Sequence, residues 1–292
     1  MNDWIQQTLN GLSVGSIYAL VALGYTMVYG IIKLINFAHG ELFMLGAYMS
    51  FVGIAYLNLP FPAAVVFSVL VCSTLGYLIE RIAYRPLRGS SRISALITAI
   101  GVSFLLQYGV MAIFGADTLS FPEVKVLGDF AIGGVTIKGT QVLIFAVTIV
   151  SLIALQYIVY HTNLGRAMRA VSIDKEAANL MGINANKTIA LTFVIGSTLA
   201  ALAGSLVAVY YSSLTPTMGV ALGLKAFVAA VFGGIGLLPG AVLGGFLIGI
   251  IETVFIALNF SLWREAVVYS ILIIILIVKP SGLLGKKGGN KV

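Results

Sequence analysis

The chain has 292 residues, of which 60% are hydrophobic and only 9% charged, and its mean hydropathy is +1.06. A soluble domain carries about 25% charged residues, so this composition excludes a water-soluble protein and points to an integral membrane one. The formal charge of +7 does not indicate nucleic acid, because Lys and Arg fall in the connections between apolar runs and form no basic patch with interleaved aromatics.

Apolar runs of membrane-crossing length recur along the chain. They are too long and too uniformly apolar for barrel strands, which alternate with period two. The fold class is therefore all-α, a polytopic transmembrane bundle of 8–10 spans that includes broken or short helices.

Spans are expected at Gly11 to Tyr29, Asn36 to Leu57, Pro62 to Glu80, Ser94 to Phe114, Gln141 to Tyr160, Thr188 to Tyr210, Lys225 to Leu258 and Ala266 to Lys279. Residues before Ile32 contain no Lys or Arg, so the first apolar run reads as a retained span rather than a signal peptide. Cys72 has no intrachain partner and reads as a small buried hydrophobe.

The second span opens in I-N-F-A-H-G-E, where Asn36, His39 and Glu41 interrupt apolar sequence. Charged groups at mid-bilayer cost about 2.5–3.5 kcal/mol even on a lenient scale, so these residues must face protein, water or the membrane surface. One reading makes Asn36 the helix cap, with Glu41 complementing the helix dipole. The other places the three residues in a translocation path. The readings are compatible, because a cap at a helix break can line a cavity.

Arg81, Arg85, Arg88 and Arg92 crowd the next connection, and Arg166, Arg169, Lys175 and Lys187 a later one; Lys286, Lys287 and Lys291 lie in the tail. The positive-inside rule makes all three cytoplasmic. Between them, Gly115 to Thr140 balances Asp117, Glu123 and Asp129 against Lys125 and Lys138 and fits a small external structure.

Within the later basic connection, Ile173, Ala177, Leu180 and Met181 make one apolar stripe at helical spacing. A single short helix from Ser172 to Met181 is expected, with Ser172 as N-cap, Asp174 and Glu176 at the positive end of the dipole and Gly182 as the C-terminal stop. So short a helix is marginal in water, so its stripe needs a surface to cover it. The bland cover is the membrane or the bundle, and the sharper one is a cytoplasmic protein.

The seventh segment contains G-G-I-G-L-L-P-G, with Gly233, Gly234, Gly236, Pro239 and Gly240, the poorest helix-forming stretch of the apolar sequence. A broken helix or two short passes are expected there, which also repairs the crossing count between an external loop after Tyr210 and a cytoplasmic tail. Gly236, Gly240 and Gly244, then Gly245 and Gly249, and Ala200, Gly204 and Ala208 form ladders at four-residue spacing that let helix backbones approach. Lys225 and Glu252 are further path candidates, or else a buried ion pair.

E-A-A-x-x-x-G, as Glu176, Ala177, Ala178 and Gly182, resembles the EAA loop of bacterial ABC importer permeases, although the later I-x-L-P part is missing. I-N-F-A-H-G-E-L-F-M-L-G-A-Y, G-R-A-M-R-A at Gly165 and V-F-G-G-I-G-L-L-P-G-A-V-L-G-G together resemble the branched-chain amino acid ABC transporter permease family, specifically its H-type subunit, over nearly the whole chain.

The resemblance implies that residues 1–292 are a single transmembrane permease domain with a cytoplasmic coupling loop at about 161–187. It implies a multi-pass subunit of the bacterial inner membrane, serving a binding-protein-dependent importer of leucine, isoleucine and valine. The implied partners are a second permease subunit, two cytoplasmic ATPase subunits, a periplasmic or lipid-anchored binding protein and membrane lipid. ATP and Mg would be bound by the ATPase chains, and no cofactor or metal by this one, which has no G-x-x-x-x-G-K-[ST] loop and no assembled nucleophile and base. Coupling would rest on Arg166, Arg169, Ile173, Asp174, Glu176, Ala177, Ala178, Leu180 and Gly182. Related permeases carry urea, amides or other amino acids. A further alternative is an ion-coupled secondary transporter that uses Glu41, Glu252 and Lys225 as a charge relay.

Overall fold

The computed structural model describes residues 2–33, 36–124, 128–132 and 134–285. Ile35, Lys125, Lys286, Lys287 and Lys291, named above, lie outside the described residues, as does the side chain of Arg92.

Eleven α-helices are described: α1 Asn2–Ile32, α2 His39–Ala55, α3 Phe61–Ile79, α4 Arg92–Phe114, α5 Gly139–His161, α6 Asn163–Ile173, α7 Lys175–Leu180, α8 Ala185–Tyr211, α9 Met218–Gly233, α10 Leu238–Ala257 and α11 Arg264–Val278. Among the described residues, seven helical segments are long and apolar enough to cross a membrane. The shorter α2 and α9, of 17 and 16 residues, add two apolar segments to the bundle.

The seventh segment is broken as the glycines require. It divides into α9 and α10, joined through Gly234 and Gly236, whose φ of +114° and +93° suit glycine and few other residues. Pro239 lies within the first two residues of α10, where a missing N–H costs nothing. With α11 this makes three passes, the odd number the charge pattern demands. α9 begins seven residues before Lys225, and the break removes Gly236 from the expected ladder.

The basic connections gather at one end. A cavity there is lined by Lys33 after α1, Arg88 before α4 and Lys175 of α7. Leu283 and Leu284 of the C-terminal segment donate backbone N–H groups to the Phe232 and Gly233 carbonyls. By the positive-inside rule this end is cytoplasmic. The opposite end carries β1 (Leu119–Ser120) paired with β4 (Ser213–Leu214), and the hairpin of β2 (Phe130–Ile132) and β3 (Val135–Ile137). Gln6 of α1 exchanges two 3.0 Å hydrogen bonds with the Thr136 backbone, which fixes the start of α1 at this outer end.

The core is built from α1, α2, α8, α9 and α10 around buried Tyr18, Phe43, Tyr48 and Phe193. Small residues set its spacing. A Cβ on Gly249 would stand 2.4 Å from the Gly15 Cα, and one on Gly245 2.6 Å from the Ala19 Cα, so α10 and α1 meet backbone to backbone. Gly204 of α8 meets the Phe43 carbonyl of α2 in the same way. The ladders at Gly244, Gly245, Gly249 and Gly204 thus serve packing within the chain. Cys72 is free and buried.

Candidate functional site

Two buried polar clusters and one exposed helix carry the residues singled out by the sequence. The first cluster surrounds the start of α2. α1 stops at Ile32, Lys33 takes φ +56°, and α2 begins at His39 with Ala38 in the cap position. Asn36 is therefore not a side-chain cap. Its backbone carbonyl accepts from His39 N–H at 3.1 Å, while its side-chain Oδ1 accepts from the Tyr84 hydroxyl at 2.8 Å. Tyr84 can reach because α3 runs on into a π-helical turn at Glu80–Tyr84, which changes the register of the last side chains.

His39 packs edge-on to Tyr25 at 4.6 Å between ring centroids. Glu41 is 1% exposed, and its Oε1 accepts from the Ser103 hydroxyl of α4 at 3.2 Å. The second oxygen of Glu41, His39 Nε2 and Asn36 Nδ2 have no hydrogen-bond partner among the described residues. A carboxylate with one free oxygen, buried halfway along α4, costs free energy unless something compensates it. Part of the compensation is helical. Glu41 lies in the first turn of α2, and its Oε2 faces Gly219 in the first turn of α9, so the positive ends of two helices point at one carboxylate. Close approach depends on glycine, since a Cβ on Gly40 would stand 2.4 Å from the Gly219 carbonyl oxygen.

The second cluster holds Lys225 and Glu252 together. Lys225 Nζ donates to Glu252 Oε1 at 2.7 Å, and the Tyr18 hydroxyl donates to Oε2 at 2.5 Å. The half-exposed Glu265 and Arg264 at the start of α11 stand 3.5 and 3.7 Å from this pair. Fully partnered, this network ties α1, α9, α10 and α11 together. Among the described residues no hydrogen bond or ion pair joins it to the Glu41 cluster, so the expected path residues divide between two places, and Lys225 and Glu252 form a buried ion pair.

The exposed element differs from the single helix expected from Ser172 to Met181. Asp174 ends α6 and caps α7, accepting from the Glu176 and Ala177 N–H groups at 2.8 and 2.9 Å. Ser172 is no cap, and its hydroxyl donates to the Arg169 carbonyl at 2.7 Å. Gly182 stops the unit at φ +81°. Ala178 is buried and Asn179 Oδ1 accepts from Ala185 N–H at 3.1 Å, which seats α7 on the start of α8. Arg169 turns inward, donating to the Val159 carbonyl of α5 under a cation–π contact with Tyr160, and Arg166 donates to Asn163. Arg169 is thus held by the bundle, while Arg166 is exposed.

The outward face carries the exposed charged residues Asp174, Lys175 and Glu176 and, beside them, three apolar side chains. Ile173, Leu180 and Met181 are 84, 88 and 82% exposed.

Several partners in these clusters carry no local sequence signal: Ser103, Tyr84 and Tyr18 belong to helices remote in sequence from the groups they bond. Among the described residues, no three His, Cys, Asp or Glu side chains gather as a metal site.

Comparison with known proteins accords with this architecture. The family model described as branched-chain amino acid transport system / permease component matches residues 7–277. The high-affinity branched-chain amino acid transport system permease protein BraD of Pseudomonas aeruginosa is 45% identical, covering 99% of this chain and 98% of its own. LivH of Escherichia coli, with the same description, is 42% identical over the same shares. The ribose import permease protein RbsC of Escherichia coli is 27% identical, over 94% of this chain and 85% of its own. Near-complete coverage at such identity, with seven helices among the described residues long and apolar enough to cross a membrane, makes this a multi-pass inner-membrane protein that belongs to the family of branched-chain amino acid transport system permease components.

Proposed function

We propose that the chain is a permease subunit of a binding-protein-dependent ABC importer for leucine, isoleucine and valine. It forms half of the translocation path beside a second permease subunit and takes its driving force from two separate cytoplasmic ATPase subunits, which hold the ATP and Mg. A periplasmic or lipid-anchored binding protein delivers the substrate at the outer end. The branched-chain descriptions of BraD and LivH support the substrate class.

The observation that carries this reading is the α6–α7 unit. Ile173, Leu180 and Met181 project from it with almost nothing of their own chain over them, as a helix built to enter another protein's groove would. Its inner face is anchored to α5 through Arg169 and to α8 through Ala178 and Asn179. A push on α7 therefore moves α8. In turn, α8 bears on α2 where Gly46 meets the Ala201 backbone and Gly204 meets Phe43, close to the Glu41 cluster. ATPase closure at one end can thus reach the break before α2.

Co-expression with the neighbouring reading frames, followed by proteoliposome uptake with leucine, urea and a polar amino acid in competition, tests the reading. ATP-dependent leucine uptake is expected. Uptake by this chain alone without nucleotide would overturn it, and urea preference would overturn the substrate.

A further inference from the structure

The cytoplasmic cavity of 420 Å³ where Lys33, Arg88 and Lys175 converge has a chemistry that neither coupling nor translocation uses. Its walls divide in two. One side is cationic and polar, with the three basic residues, Ser91 and Ser172; the other is apolar, with Ile31, Ile32, Leu87, Val171 and Ile189.

Two independent features of the polar side favour an anion. Ser91 caps the 23-residue α4, its hydroxyl accepting from Ser94 N–H at 3.2 Å, and places the positive end of that helix at the cavity. Arg88, whose side chain is only 8% exposed, donates to Glu80 and, at 2.6 Å, to Asn186, yet its Nε–H has no acceptor. Burial lowers the Arg88 pKa from its ordinary value. Lys33 and Lys175 are exposed and, among the described residues, appear in no ion pair. Among the described residues the one ion pair in this group is Arg88 with Glu80, which leaves both lysines unmatched.

We infer that this cavity binds the phosphate headgroup of an anionic glycerophospholipid from the cytoplasmic leaflet. The cations and the α4 N-terminus receive the phosphodiester, and the isoleucine, leucine and valine wall receives the first methylenes of the acyl chains. A free phosphate would leave that wall without a partner, so the amphipathic lining selects the lipid. Val171, Ser172 and Lys175 belong to the α6–α7 unit and Lys33 to the break before α2, so the lipid would bridge the two. The inference stands on the cavity and does not depend on the transported substrate.

The test is native mass spectrometry of the purified complex after graded delipidation from bilayers of phosphatidylcholine mixed with phosphatidylglycerol. One retained phosphatidylglycerol per chain is expected. The double variant Lys33→Gln, Lys175→Gln should weaken retention about 30-fold, at about fivefold for each lysine beside an anionic headgroup. Both lysines are exposed and the variant keeps the buried Arg88–Glu80 pair, so folding is not at stake. Lys33→Arg, Lys175→Arg should restore retention, and Arg85→Gln, which removes an exposed cation outside the cavity, should leave it unchanged. Equal loss with Arg85→Gln would reduce the effect to general surface charge and overturn the site. Displacement by millimolar inorganic phosphate would overturn the lipid as ligand. An adduct that appears only once the ATPase subunits have been stripped from the complex would show a socket for protein carboxylates and overturn the lipid.

Discussion

Lys225 and Glu252 face each other at 2.7 Å across α9 and α10, both nearly sealed from solvent. Removing one partner leaves a buried charge, which costs about 3–5 kcal/mol. Lys225→Met should fall near the low end of that range, because Arg264 stands 3.7 Å from Glu252 and takes up part of the charge. The joint replacement Lys225→Met, Glu252→Leu should recover most of the loss. Thermal unfolding of the purified complex reads both, and additive losses would show that the pair is not coupled.

Glu41→Gln keeps the size of the side chain and an oxygen for the Ser103 hydroxyl. Stability should change by less than about 1 kcal/mol, since a neutral hydrogen bond replaces a charge-assisted one. If the free carboxylate oxygen serves transport, uptake falls about tenfold, the equivalent of about 1.4 kcal/mol. Unchanged uptake with unchanged melting would confine Glu41 to structure.

Gly40→Ala and Gly101→Ala make a contrasting pair. The first drives a methyl to 2.4 Å from the Gly219 carbonyl, whereas Gly101 on α4 has nothing within 4 Å. Gly40→Ala should forfeit folded protein, and Gly101→Ala should be neutral or stabilise by up to about 1 kcal/mol. Fluorescence-detected size-exclusion chromatography separates the two outcomes.

Gly182→Val places a β-branched residue at φ +81°, at a cost of about 1–2 kcal/mol. The α7 end should fray and ATPase activity should continue without uptake. Leu180→Asp tests the same surface differently: this residue is 88% exposed, so the permease should fold normally while co-purification of the ATPase subunits fails. Normal uptake in both variants would remove α7 from coupling.

The parts legible in sequence were those governed by local backbone chemistry. Glycine and proline at Gly233–Gly240 announced the break between α9 and α10, and Gly182 announced the end of α7. Misreadings came where a distant partner or a competing local signal prevailed. Asn36 looked like a cap until Tyr84, 48 positions away, claimed its oxygen. α9 starts seven residues before the expected Lys225, and its Gly219 and Gly223 are where α2 lies against it. The loop expected as one helix capped by Ser172 is two, because the Asp174 carboxylate accepts the first N–H groups of α7.

The backbone contact between α1 and α10 leaves no layer of side chains to repack, so neither helix can slide on the other. The two form a single strut. Its joints lie together at the cytoplasmic end, where a Cβ on Gly30 would come 3.6 Å from the Gly236 Cα: one is at Lys33, where α1 ends with φ +56°, and the other is the turn from Gly234 to Leu237. Spin labels on α1 and α10 should hold a constant separation through the transport cycle, while labels on α2 and α9 swing about that fixed mast.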